Sequence, residues 1–142
     1  MKKILEKIKE YNRIIIHGHI RPDGDCIGSQ YGLMHLIKTS FPDKEVYVTG
    51  DTSEYVSFIG KPNLIDETLF ENALSICLDC GEEERLSDKR HKLSNYTIKI
   101  DHHFDSDNYT DYEYVDNKAS STTEIITEFY ELNKDELIMT PI

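Results

Sequence analysis

Apolar positions change their spacing from segment to segment along this chain, and the spacing predicts the elements. In residues 1–11, Ile4, Leu5 and Ile8 fall at i, i+1 and i+4, a helical stripe, and residues 13–17 then close around the short run Ile14, Ile15, Ile16, which reads as a buried strand. Pro22, Asp23 and Gly24 make a turn, after which Ile27, Tyr31, Met34 and Ile37 recur at helical spacing over 27–37. A second strand is predicted over 46–49, following the Pro42-Asp43 turn, and a short helix over 53–59. Residues 73–78 and 96–100 read as two more buried strands with a charged helix over 82–92 between them. Residues 112–115 predict a further strand, and 121–132 a helix whose stripe is Ile125, Ile126, Phe129 and Tyr130. Apolar runs alternating with helical patterns build parallel βαβ units rather than hairpins, so the expected class is α/β with a mainly parallel sheet and helices on both faces. The chain carries no internal repeat, low-complexity tract or interdomain linker.

Size narrows this to one domain: 142 residues that are 38% apolar can bury a core, while a second full domain does not fit. No run approaches the roughly 20 apolar residues that span a bilayer, and the start, MKKILEKIKEYN, is amphipathic rather than a signal peptide. A soluble, cytoplasmic protein without a membrane partner is therefore expected. The three cysteines, Cys26, Cys77 and Cys80, are too few and too unevenly placed for a disulfide framework, which suits a reducing compartment. A net charge of −11 argues against holding long duplex nucleic acid, because counter-ion release needs a basic surface. Acidic residues still suit phosphate substrates when carboxylates hold divalent cations that invert the local field.

Three segments carry such side chains, each just after an apolar run: HGHIRPDGD from His17 to Asp25, then Asp79, then Asp101-His102-His103. Ligands of open parallel sheets sit beyond the carboxyl ends of the strands, so these segments can converge there. Imidazole with several carboxylates forms a hard N/O set that suits Mn²⁺ or Mg²⁺ better than a thiolate-rich zinc site would. Two such ions about 3.5–4 Å apart can share a carboxylate and clamp a phosphoryl displacement, and Asp79, alone in its segment, is the natural bridge.

HIRPDGDCIGS, LDCG, and DHH followed by ASSTTE together resemble the successive motifs of the DHH phosphoesterases, over nearly the whole chain. The continuation GSQYGL, with almost nothing before the first motif, is most similar to the bifunctional oligoribonuclease and pAp phosphatase (NrnA-like) branch. The resemblance implies a Rossmann-like DHH catalytic domain with two Mn²⁺ ions, Mg²⁺ being an alternative. It implies that His19 and Asp23 hold one ion, Asp25 and His102 the other, and that Asp79 bridges them. His103 would stand by the scissile phosphate, stabilising its charge or protonating the leaving oxygen, and Asp101 would orient an imidazole. The nucleophile would be a hydroxide shared by the ions. The substrates implied are pAp, small nucleotides or short single-stranded oligonucleotides, and a homodimer is compatible with the resemblance.

The sequence departs from the family pattern at its end. Members continue past LIMTPI into a strand with one more aspartate ligand, then into a linker and a substrate-binding (DHHA1) domain. The 142 residues are thus expected to form one DHH domain, incomplete at its C-terminal end, with the second metal one ligand short and weak or no activity in isolation. Type II inorganic pyrophosphatase and cyclic-dinucleotide phosphodiesterase are the enzymatic alternatives, and a non-catalytic metal- or nucleotide-binding module is the other.

Plainer readings stand beside these. Asp23-Gly24-Asp25 after a proline can be only a turn. His17 and His19 point the same way in a strand and can pair as ligands; the resemblance favours His19 and leaves His17 a packing or supporting role. Cys77 and Cys80 spell CxxC, but with no second pair they read as ordinary strand-end residues, and Cys26 as a small core residue. Ser121 with Glu124 fits a capping box, and free N–H groups near Ser120, Ser121 and Thr122 can take a phosphate. Glu82, Glu83 and Glu84 read as a solvated helix start, and His35 and His91 as solvated or half-buried.

Overall fold

The computed structural model describes residues 1–141. Five strands, β1 (Arg13–His17), β2 (Glu45–Val48), β3 (Leu74–Leu78), β4 (Tyr96–Asp101) and β5 (Tyr112–Val115), form one sheet in the order β2-β1-β3-β4-β5. Every pairing is parallel, from Arg13 opposite Glu45 to Asp101 opposite Val115. Three α-helices accompany them: α1 (Lys2–Glu10), α2 (Gly24–Ser40) and α3 (Thr122–Leu132). This is the α/β architecture that the alternating pattern predicts.

Side chains alternate across the pleat, and the two faces of the sheet are covered differently. Ile14, Ile16, Leu74, Ile76, Leu78, Ile98 and Ile100 point to one face, where the apolar stripes of α1, α2 and α3 close over them. The opposite face is covered by three short 3₁₀ helices, Glu67–Phe70, Glu83–Arg85 and Lys89–Leu93, and their connecting loops. Phe70 there packs on Ile15 and Ala73. Helix α2 is buried on more than its predicted stripe, at Cys26, Ser29, Gln30, Leu33 and Leu36 as well as Ile27, Tyr31 and Ile37. It lies against both the sheet and α3, so a single stripe cannot describe it.

Two predicted helices take another form. Residues 82–92 are two 3₁₀ pieces with a break at Leu86 to Asp88. There the chain is drawn into strand-like pairing with residues 18–20: the Ile20 N–H donates to Arg85 O at 2.8 Å and the Ser87 N–H to Gly18 O at 3.1 Å. Those bonds consume groups that a continuous helix would need. Residues 54–59 form turns, with bonds from Val56 N–H to Ser53 O and Ile59 N–H to Val56 O, and Tyr55 and Phe58 stand exposed. With Val56 alone of this segment anchored in the core, nothing sustains a helix there.

From β1 the chain moves to one side of the sheet for β2 and then returns past β1 to β3, so the direction of winding reverses between β1 and β3. A crevice opens beyond the carboxyl ends of the strands at such a reversal. His17 ends β1 and Asp79 follows β3 directly, which places the motif residues at that crevice. No helix among the described residues is long and apolar enough to cross a membrane.

Candidate metal centre

Each acidic or imidazole side chain at the crevice is aimed by a local backbone feature. Asp23 is the N-cap of α2, its Oδ1 accepting the Cys26 N–H at 2.9 Å, so the predicted turn and the predicted site residue are the same thing. Asp79 sits immediately after β3 in the left-handed region, φ 58°, a conformation that Asp tolerates better than most side chains. Its N–H still donates to Ile100 O at 3.0 Å, which fixes the turn and points the carboxylate into the crevice. The glycine of LDCG is required by closeness: a Cβ on Gly81 would lie 2.6 Å from Asp105 O and 3.1 Å from Asp101 Oδ2.

Asp79 is the centre of the arrangement and is almost wholly buried. Its Oδ2 lies 3.5 Å from His19 Nε2, while its Oδ1 lies 3.4 Å from His102 Nε2 and 4.0 Å from His103 Nδ1. Thr122 Oγ1 also donates to Oδ1, at 3.1 Å. His102 Nε2 is equally 3.4 Å from Asp25 Oδ2, and His19 Nε2 is 3.9 Å from Asp23 Oδ1. Two sets of ligand atoms, His19 with Cys26 and Asp79, and Asp79 with His102 and His103, each lie within 4.8 Å of one another. His19, Asp23, Asp25, Asp79, His102, His103 and Asp101 are therefore gathered in one place.

The charges of this cluster fit a divalent cation. Burial raises the Asp79 pKa, and the neighbouring Asp25 carboxylate raises it further against the opposing pull of His19. The Asp79 carboxylate, then Cys26, push His19 up to about 11 against the effect of burial. Such a field holds a proton on the imidazole, and a divalent cation in the same field would replace that proton. His19 Nδ1 donates to Ile20 O at 2.7 Å, which turns Nε2 inward, the orientation a metal-binding imidazole needs.

The remaining residues have supporting contacts. Asp101 is fully buried and accepts from His103 Nδ1 at 2.6 Å, leaving the half-exposed His103 ring with Nε2 as its free nitrogen. Asp101 Oδ2 is buried without a hydrogen-bond partner among the described residues. His17 does not reach the centre: it is buried, with Nε2 2.9 Å from Ser75 Oγ and Nδ1 3.2 Å from Asp88 O. Burial depresses its pKa to about 4. His91 is buried too, contrary to expectation, with Nε2 3.2 Å from Glu83 Oε2. Cys77 and Cys80 are buried free thiols, pushed upward in pKa chiefly by burial.

The start of α3 differs from the expected phosphate site. Its N–H groups are not free: Thr122 N–H donates to Asp25 Oδ2 at 3.0 Å, and Thr123 donates to Asp25 Oδ1 from N–H at 2.9 Å and from Oγ1 at 2.7 Å. Burial pushes the Asp25 pKa up, yet these donors outweigh it and the net direction is down. The capping box is also displaced by one residue. Ser121 Oγ accepts the Glu124 N–H at 3.0 Å as predicted, but Glu124 Oε2 reaches back to the N–H and hydroxyl of Ser120. Ser120 and Ser121 thus build the cap with Glu124, Thr122 holds both Asp25 and Asp79, and a phosphate would have to displace those bonds. Thr123 was not singled out from the sequence. An acid at Asp25 needing donors was a visible signal, but nothing in chain order linked it to residue 123.

The cleft in front of this cluster is ≈ 470 Å³ and is lined by His19, Asp23, Asp79 and His103, with Arg85 and the 81% exposed Phe104.

A family model described as "DHH family, N-terminal domain" matches residues 13–141. The chain is 47% identical over 128 residues to a Streptococcus mutans protein named "Probable bifunctional oligoribonuclease and PAP phosphatase NrnA", covering 90% of this chain and 41% of that protein. It is 37% identical over 128 residues to the "Bifunctional oligoribonuclease and PAP phosphatase NrnA" of Bacillus subtilis, with the same coverage, 90% and 41%. The chain thus spans well under half the length of these two relatives. Among solved structures it is similar to an exopolyphosphatase-related protein from Bacteroides fragilis, with a TM-score of 0.81, 25% identity, and 92% of this chain and 42% of that one covered.

Proposed function

The chain belongs to the DHH family, and on that premise we propose that it carries the metal-binding centre of a phosphoesterase that hydrolyses pAp and short oligoribonucleotides. One observation carries the reading: the two oxygens of the buried Asp79 face different imidazoles, Oδ2 toward His19 and Oδ1 toward His102, a disposition suited to bridging two cations. In this reading His19 and Asp23 serve one ion and Asp25 and His102 the other, Mn²⁺ being favoured by the N/O donor set, with Mg²⁺ as the harder alternative. The substrate class rests on the likeness to proteins named oligoribonuclease and PAP phosphatase, at 47% and 37% identity. A cytoplasmic location is part of the same proposal and agrees with three cysteines that are all free thiols.

Bound cations would lower the pKa of a water near neutral pH and neutralise charge on the phosphoryl oxygens. The chain's own residues do the rest. Asp25, kept ionised by the Thr122 and Thr123 donors, supplies negative charge, while Asp79, whose pKa burial raises, would be kept ionised by the cations it faces. Asp101 holds the proton of His103 on Nδ1 and turns Nε2 toward the cleft, where it can hydrogen-bond to the phosphate or give a proton to the leaving oxygen. Arg85, lining the same cleft, offers a cation to a second phosphate oxygen.

Calorimetric titration of Mn²⁺ into the chain and into Asp79→Asn tests the centre. Binding to the wild type and its loss by about 100-fold or more in the variant is expected. Equal binding by both would remove Asp79 from its bridging role and the two-metal reading with it. Product analysis with pAp, short oligoribonucleotides, pyrophosphate and cyclic dinucleotides then separates the substrate classes, with at most slow release of phosphate from pAp expected of these 142 residues alone and preference for pyrophosphate counting against the reading.

A further inference from the structure

Cys26 does not behave as a plain core residue. It is fully buried in the first turn of α2, one residue after Asp25, yet its sulfur faces polar atoms. Sγ belongs to the same 4.8 Å cluster as the ligand atoms of His19 and Asp79. Its hydrogen-bond partner is Gln30 Oε1 at 3.9 Å, the long limit for sulfur, so the thiol is weakly satisfied where it stands. Gly18 makes the approach possible, because a Cβ there would lie 2.7 Å from Sγ. Cys80 lines the cleft, where Cys26 does not, but its sulfur is turned to Glu82 O at 3.1 Å.

Building on the metal centre proposed above, we propose that Cys26 is a sulfur ligand to the cation held between His19 and Asp79. With Asp23 Oδ1 3.9 Å from His19 Nε2 on the same side, this half of the centre offers one nitrogen, two carboxylates and one sulfur, a four-donor set. The other half, Asp25, Asp79 and His102, offers nitrogen and oxygen only. The two halves therefore prefer different ions: the sulfur half a borderline-soft one such as Zn²⁺, Co²⁺ or Cd²⁺, the oxygen-rich half a harder one such as Mn²⁺ or Mg²⁺. As the sulfur–metal bond forms, the thiol proton leaves for bulk buffer, and no electron is transferred.

Cobalt reports sulfur ligation directly, because a thiolate bound to Co²⁺ absorbs strongly in the near ultraviolet and carboxylate or imidazole ligands do not. Titrating the whole chain with Co²⁺ is expected to develop that absorption in the wild type and in Cys80→Ser, and to lose it in Cys26→Ser while cobalt still binds. Cd²⁺ affinity should fall about tenfold or more in Cys26→Ser with Mn²⁺ affinity changed by less than about threefold. Cobalt bound to the wild type without the absorption would overturn the proposal and leave the metal centre standing. Absorption lost in Cys80→Ser instead would overturn it by assigning the sulfur elsewhere. Failure of the wild type to bind Co²⁺ or Mn²⁺ at all would remove the centre itself. Because the wild-type spectrum can decide against the proposal alone, it stays testable even if Cys26→Ser folds poorly.

Discussion

The two faces of the sheet are built on different principles. Toward α1, α2 and α3 the strands present Ile14, Ile16, Leu74, Ile76, Leu78, Ile98 and Ile100, an aliphatic surface whose burial is favourable in any orientation. Toward the 3₁₀ segments the same strands present His17, Ser75, Thr97, Lys99 and Asp101, all buried and polar. Each needs a partner of the right direction. His17 meets Ser75 Oγ and Asp88 O, and Asp101 meets His103. Lys99 donates to Ser106 Oγ and Asp107 O, and its ammonium lies 2.7 Å from Glu113 Oε1 as an ionic contact outside hydrogen-bond geometry. Of these partners Asp88, His103, Ser106 and Asp107 sit in the segments after β3 and β4, while Ser75 and Glu113 lie in β3 and β5. One face thus supplies stability without direction, while the other ties the loops of the centre to the sheet by directional contacts.

Replacing Lys99 with Met would break this contrast most severely. It leaves the half-buried Glu113 beside no cation and releases the Ser106–Asp107 loop, so urea denaturation should register a loss of about 3–5 kcal/mol. A loss below about 1 kcal/mol would mean the polar face is not a structural tie.

A smaller effect is expected from pH. His17 titrates near 4 in the folded chain but near its ordinary 6.5 when unfolded, burial being the cause, with Asp88, His91 and Arg90 the charged or titratable groups facing it. The unfolded chain therefore takes up the proton first, and stability falls as pH drops from 6.5 toward 4. Between pH 7 and pH 5 the loss should be about 2 kcal/mol greater in the wild type than in His17→Gln. Equal losses would show that His17 is not held neutral.

The smallest effect belongs to the aliphatic face. Ile76→Val should cost about 1 kcal/mol in denaturation and leave Mn²⁺ affinity unchanged, because Ile76 packs within the aliphatic cluster and is not one of the candidate ligands. A change in metal affinity there would blur the division between the faces.

Legibility in the sequence follows the same division. The aliphatic runs at 13–17, 73–78 and 96–100 announced β1, β3 and β4 to within a residue, because fully buried parallel strands are continuous apolar runs. The 82–92 segment misled because its composition suits a helix, while its bonds to Gly18 and Ile20, far away in the chain, cut it into 3₁₀ pieces. Asp23, Asp25, Asp79 and Asp101 to His103 could be singled out by type and by position after strands. That Thr122 and Thr123 hold Asp25, and that the Cys26 sulfur lies within 4.8 Å of ligand atoms of both His19 and Asp79, could not.

Periodicity and residue type alone determined the parallel α/β class and the candidate ligands, since both depend on what each short segment must bury or can bind. Which oxygen of Asp79 faces which imidazole, which amides the α3 cap spends on Asp25, and where the Cys26 sulfur points were decided by tertiary structure. Those are distances between groups up to 98 residues apart in the chain, and only the packed sheet brings them together.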